Sequence, residues 1–116
     1  MDECKPLPGG TQLASASADM TVRVWDVNSG REVAKLKGHT ADVLSCAWSP
    51  GGTQLASSSA DKTVRVWEVN TRREVAKLKG HTAAVYSCAW RPDGKLLASG
   101  AGRDCLIMLA KSQFGT

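Results

Sequence analysis

The stretch TQLASASADMTVRVWD, opening at Thr11, returns as TQLASSSADKTVRVWE, opening at Thr53. The same offset of 42 residues relates Gly38-His39 to Gly80-His81 and Trp48 to Trp90. Residues 9–48 and 51–90 differ at only seven positions, among them Met20/Lys62, Gly30/Arg72, Asp42/Ala84 and Leu44/Tyr86. A third copy opens at KLLAS, from Lys95, and then drifts, with Leu109 where the spacing would place a third Trp after Trp25 and Trp67. A near-exact period of this length marks a structural unit that works only when stacked on its neighbours.

Each period reads as a run of short strands. TVRVW and VAKLK alternate with the period of two expected of a strand. VLSCAW and TQLASSS are apolar or small-residue runs bounded by SPGG, SADK and VNTRR, all of which suit turns. No stretch shows sustained helical spacing, so the chain is all-β. The second copy predicts an inner strand at Val43–Trp48, then Gln54–Ser59, 63–69 and an outer strand at 74–79. The third predicts strands at 85–90, 96–100 and 105–109, and the chain stops before an outer strand. In the first copy the inner strand falls on MDECK, where Cys4 is in register with Cys46 and Cys88. These readings divide the chain into a degenerate segment 1–8, a repeat array 9–110 and a tail 111–116. The units of the array are about 9–42, 43–84 and 85–110.

Composition narrows the function classes. A hydrophobic content of 42% with 22% charged residues is that of a globular chain rather than a disordered one. A net charge of +4 permits acidic partners without demanding nucleic acid. No run is long enough to span a bilayer, which argues against a membrane. The polar opening MDECKPLPGG lacks the form of a secretory signal, so a cytoplasmic or nuclear location is expected. Cys46 and Cys88 recur inside SCAW, Cys4 and Cys105 lie near the ends, and no CxxC pair exists. The cysteines therefore read as small buried side chains and terminal thiols, not as a zinc or redox motif.

The spaced markers resemble the WD40 repeat family: a Gly-His pair, an apolar strand ending in Ser-Pro, LASSSADKTVRVW, and an acidic residue after the Trp. The resemblance spans residues 9–109 and implies a β-propeller of four-stranded blades packed face to face. It also implies a hydrogen-bonded set pinning each blade. In the second unit this is His39, Ser57, Asp61 and Trp67, with Ser59 on the same strand face as an alternative to Ser57. The first unit offers Ser15, Asp19 and Trp25, and its histidine would precede the chain. The third keeps His81 and Ser99 but has Arg103 for the aspartate and Leu109 for the tryptophan, so its set should be broken. A buried indole N–H needs an acceptor, and a serine hydroxyl can accept from it while donating to imidazole.

His39, Ser57 and Asp61 also have the residue types of a hydrolytic triad. LASSSAD is not the GxSxG elbow, and nothing nearby resembles an oxyanion hole. The set also recurs incompletely in the neighbouring repeat, with an indole as fourth member. The chain is accordingly read as non-catalytic. No cofactor is implied, and no metal either, since His39 and His81 lack companion ligands at metal spacing. Lys35, Lys37, Lys77 and Lys79 on the outer strands, with Arg23 and Arg65 beside them, read as edge protection rather than as a nucleic-acid rim, because no aromatic residues are interleaved.

The resemblance implies a platform for proteins or peptides, displayed on the Gly-His loops and Ser-x-Asp turns. Specificity should sit where otherwise identical copies differ on that face: Met20, Asp42, Lys62, Tyr86 and Arg103. Fewer than three full blades leave open faces, so the chain is expected to be a fragment of a propeller or a protomer that closes a ring as a homo-oligomer. In the second case it serves as a self-assembling structural protomer with no separate ligand.

Overall fold

Alternating small and β-branched residues separated by turn formers produce eleven strands in the computed structural model, which describes residues 4–6, 12–79, 81–92, 96–101 and 104–109. The first sheet has the order β1-β2-β3-β4, with β1 Cys4–Pro6, β2 Gln12–Ala16, β3 Thr21–Asp26 and β4 Glu32–Lys37. The second runs β5-β6-β7-β8, with β5 Val43–Trp48, β6 Gln54–Ser59, β7 Val64–Glu68 and β8 Arg73–Leu78. The third has three strands, β9 Ser87–Trp90, β10 Leu96–Ala101 and β11 Asp104–Leu109. All pairings are antiparallel. The architecture is that of successive propeller blades in an array that does not close. Among the described residues no helix is long and apolar enough to cross a membrane.

The repeat is visible in the register. Cys4 faces Ser15, Cys46 faces Ser57 and Cys88 faces Ser99 across the inner strand pair of each sheet. Leu13 faces Trp25 and Leu55 faces Trp67. A bulge recurs between Val24 and Trp25 and between Val66 and Trp67, leaving Val33 and Val75 as the extra residues on the outer strands. In the third sheet the spacing departs from 42. The β10–β11 hairpin is one residue shorter, and Leu97 faces Met108, so Met108 rather than Leu109 holds the register position of Trp67. The sequence offset misplaced this residue because a shortened turn shifts every pair beyond it.

Alternation gives each sheet two faces, and stacking covers them in turn. Ala14, Ala16, Val22, Val24, Ala34 and Leu36 of the first sheet pack on Val43, Cys46, Trp48, Leu55 and Trp67 of the second. The opposite face of the second sheet, with Ala56, Val64, Val66 and Leu78, packs on Val85, Cys88 and Leu97. Full burial of a Val or Leu side chain contributes about 1.5–3 kcal/mol, so these two layers are the main source of stability. Polar bonds lock the layers in place. Val43 N–H donates to Ser17 O at 3.1 Å, and its repeat equivalent Val85 N–H donates to Ser59 O at 2.9 Å. Trp90 Nε1 reaches Ala47 O at 3.0 Å, and the Arg72 guanidinium reaches Val33 O at 2.5 Å.

Candidate functional site

The link from β4 to β5 lies against the second sheet because Gly38 has no side chain. A Cβ there would stand 3.0 Å from Trp67 Cη2, from Arg65 Nη1 and from Glu74 Oε1. The close approach carries the next residue inward, and the His39 side chain is fully buried. His39 Nδ1 lies 2.9 Å from Asp61 Oδ2 in the β6–β7 turn. A carboxylate only accepts, so Nδ1 carries the proton and Nε2 accepts from Ser57 Oγ at 2.6 Å. Ser57 Oγ in turn accepts from Trp67 Nε1 at 2.9 Å. The structure thus brings Trp67, Ser57, His39 and Asp61 into one directional chain of donors that ties the inter-sheet link to β6, β7 and their turn.

Ser59 has other partners. Its hydroxyl lies 2.8 Å from Asp42 O and 3.1 Å from Ala41 O, and it accepts from Asp61 N–H at 3.0 Å. It tethers the link by its backbone while Ser57 holds the rings.

Electrostatics fix the protonation of this set. Burial pushes the His39 imidazole below its ordinary value of 6.5, outweighing the pull of Asp61, so the ring is neutral. For Asp61 burial works the other way and opposes the charge. Hydrogen bonds from Thr63, His39 and the Thr40 N–H overcome it and hold the carboxyl well below the usual carboxylate range. Thr63 Oγ1 donates to Asp61 Oδ1 at 2.5 Å, and Thr63 and Thr40 add backbone N–H donors at 3.0 Å. Arg65 Nη2 stands 3.6 Å from Asp61 Oδ2, and Arg65 Nη1 pairs with Glu74 at 2.9 Å. Arg65 is therefore a buried, paired side chain and does not belong to a solvent rim, whereas Lys35, Lys37, Lys77 and Lys79 are exposed. Thr63 and Arg65 were absent from the set inferred from sequence, although both repeat as Thr21 and Arg23 and were legible on that ground.

The other two sheets hold fragments of the arrangement. In the first, Trp25 Nε1 donates to Ser15 Oγ at 3.1 Å. Asp19 is exposed, and the hydrogen bond from Thr21, foremost among several, holds its carboxyl below the usual range; it pairs with Arg23 at 2.6 Å. In the third, His81 Nε2 stands 2.7 Å from Ser99 Oγ, while the buried Nδ1 has no partner among the described residues. Arg103 lies outside the described residues.

Some of the positions that differ between copies lie at the end of the stack that carries the β2–β3 and β6–β7 turns, whereas Asp26/Glu68, Ser29/Thr71 and Gly30/Arg72 lie at the β3–β4 and β7–β8 connections. Met20 and Lys62 occupy the tips of the β2–β3 and β6–β7 turns, and both are exposed. Exposed Asp42 lies beside the second of these turns, where its carbonyl accepts Ala60 N–H at 2.9 Å. Tyr86, 62% exposed, precedes β9 on the next link. By contrast His39, Ser57 and Asp61 are closed to solvent, with side-chain exposures of 0% for His39 and 4% for Asp61. Among the described residues no group of three or more His, Cys, Asp or Glu side chains is placed to hold a metal.

Comparison with known proteins agrees with this architecture. The family description "WD domain, G-beta repeat" matches residues 3–26, 30–68 and 72–109. The second and third matches each run from an outer strand through the first three strands of the next sheet, so they contain the pinned link. Coronin-7 of Mus musculus is 54% identical over 37 residues, which cover 32% of this chain and 4% of that protein. Ribosome assembly protein 4 of Chaetomium thermophilum is 49% identical over 39 residues, 34% of this chain and 8% of that protein. Mitochondrial division protein 1 of Mycosarcoma maydis is 61% identical over 36 residues, 31% of this chain and 4% of that protein. The matched stretch is thus under a tenth of each relative's length. Three matched repeats, three stacked antiparallel sheets and a buried Trp-Ser-His-Asp set on the link between two of them make this chain a member of the WD domain, G-beta repeat family.

Proposed function

We propose that the chain is a non-catalytic interaction module that offers the loop end of its sheet stack to a protein or peptide. The observation carrying this reading is an inversion of exposure. The polar set with the look of a triad is buried, with Ser57 committed to an indole and an imidazole. At the loop end of the stack, by contrast, Met20, Asp42, Lys62 and Tyr86 are exposed, and these are positions where the repeats differ. The Trp-Ser hydrogen bond recurs in the first and second sheets because packing favours it, while a recognition surface is free to vary. Relatives named for ribosome assembly and for mitochondrial division share the repeat, which fits a module working inside larger assemblies.

The test is selection of a displayed peptide library on the purified chain, followed by binding to Asp42→Ala/Lys62→Ala. Selected peptides should lose at least tenfold in affinity for the double variant while its thermal midpoint stays unchanged. Equal affinity for both chains removes this surface from the proposal. A second reading, self-assembly without a separate ligand, is favoured by one observation: the outer face of the first sheet carries the residues that the second sheet keeps covered.

A further inference from the structure

We infer that the outer face of the first sheet is a docking surface for the third sheet of a second copy of this chain. The inference rests on the self-assembling reading and is independent of the peptide-binding surface.

Leu13, Ser15, Arg23 and Trp25 share one face of the first sheet, with Leu13 opposite Trp25 and Ser15 opposite Arg23. Leu55, Ser57, Arg65 and Trp67 stand in the same register in the second sheet. There the face is closed, with Leu55 at 0% and Trp67 at 1% exposure. In the first sheet Leu13, Arg23 and Trp25 are only half-buried. An indole and a leucine on the first sheet, identical to a pair fully covered one repeat away, form an apolar surface whose cover is known in kind.

That cover is a sheet face of alanine and valine. Ala14, Ala16, Val22 and Val24 cover the second sheet, and Ala47, Ala56, Val64 and Val66 cover the third. On the third sheet the same kind of face begins again. Ala89 and Ala98 are cross-strand partners in the third sheet, as Ala47 and Ala56 are in the second. Ala47 and Ala56 sit in a core, whereas Ala89 is exposed and Ala98 half-buried. The first and third sheets therefore repeat the two sides of an interface already made twice within the stack.

The chemistry of the faces selects the pairing. Between the first and second sheets, the face with Leu55 and Trp67 is covered by one of alanine and valine and not by a second face of its own kind. The contact is head to tail, and a heterologous contact of this kind generates a ring when the rotation closes and a filament when it does not.

The test is molar mass by light scattering after size exclusion, for the whole chain without any peptide, across a concentration series. The wild type should associate, and its thermal midpoint should rise with concentration, since association stabilises by mass action. Leu13→Glu and Ala89→Glu, each confirmed as folded by its strand circular dichroism, should be monomeric alone. Their equimolar mixture should double in mass, because each supplies the face that the other has lost. A monomeric wild type with a concentration-independent midpoint overturns the inference and leaves peptide capture untouched. Association of Ala89→Glu alone, or a mixture that stays monomeric, overturns it as well.

Discussion

Ser57 accepts from one buried ring and donates to another, so its removal leaves Trp67 Nε1 and His39 Nε2 unpaired at once. A buried polar group without a partner costs about 1–3 kcal/mol, and Ser57→Ala should lower stability by about 3 kcal/mol in denaturant unfolding. Ser15→Ala should lose less than half as much, because Trp25 is half-buried and no imidazole leans on Ser15. Equal losses would mean that burial does not set the strength of the pin. The next residue along should respond with the opposite sign. Ser58 Oγ is buried without a partner among the described residues, and the first copy has Ala16 at that position, so Ser58→Ala should gain about 1 kcal/mol. The pin also sets a pH response. The unfolded chain protonates His39 near 6.5, the folded chain only at lower pH, so stability falls as pH drops below about 6.5. Asp61 adds a further loss below its ordinary value of 3.8, since its folded carboxyl resists protonation. Unfolding midpoints between pH 8 and pH 5 should decline (roughly the window set by an ordinary imidazole), and His39→Leu should remove some of that slope.

At the scale of the element, the hairpin turns carry local strain that the repeat has copied. Met20 and Lys62 both have φ of 75°, in the left-handed region, at the last position of turns closed by their N–H donating to Ser17 O and Ser59 O. Non-glycine residues there cost about 1–2 kcal/mol. Lys62→Gly should therefore raise the unfolding free energy by about 1 kcal/mol, read from the shift in denaturant midpoint, and a loss would mean that the lysine side chain holds the turn. Arg72 is a third case, at 61° where the first copy has Gly30, and there the side chain is recovered as a bridge to Val33 O of the neighbouring sheet. The strands themselves were largely legible, because alternation and turn residues are local signals. The outer strand expected at 74–79 runs Arg73–Leu78, and the inner strand expected from 85 begins at Ser87. The third hairpin was not legible. An offset of 42 cannot report a turn that has lost a residue, and only the Leu97–Met108 pairing shows that it has.

For the whole molecule, stability should depend on the stack rather than on any single sheet. A chain ending after Lys79 would uncover Ala56, Val64, Val66 and Leu78, which the third sheet now buries. At roughly 1.5–3 kcal/mol for each Val or Leu side chain returned to water, that truncation should abolish the cooperative thermal transition or lower it sharply. A truncated chain that melts like the full one would show that sheets in this family member stand alone. The sequence by itself determined the repeat, the strand order within each unit and the residue types of the pin, because periodicity, turn chemistry and side-chain inventory are written locally. Tertiary structure alone decided three matters. It placed His39 of one link on Ser57 and Asp61 of the next sheet, so the serine in the pin is Ser57, while Ser59 ties down the backbone. It turned Arg65 inward onto Asp61 and Glu74, although the sequence presents it as one more basic residue beside an edge. And it left Trp25 half-buried where Trp67 is buried, although the strands around them are nearly the same, because exposure belongs to the neighbouring layer and not to the strand.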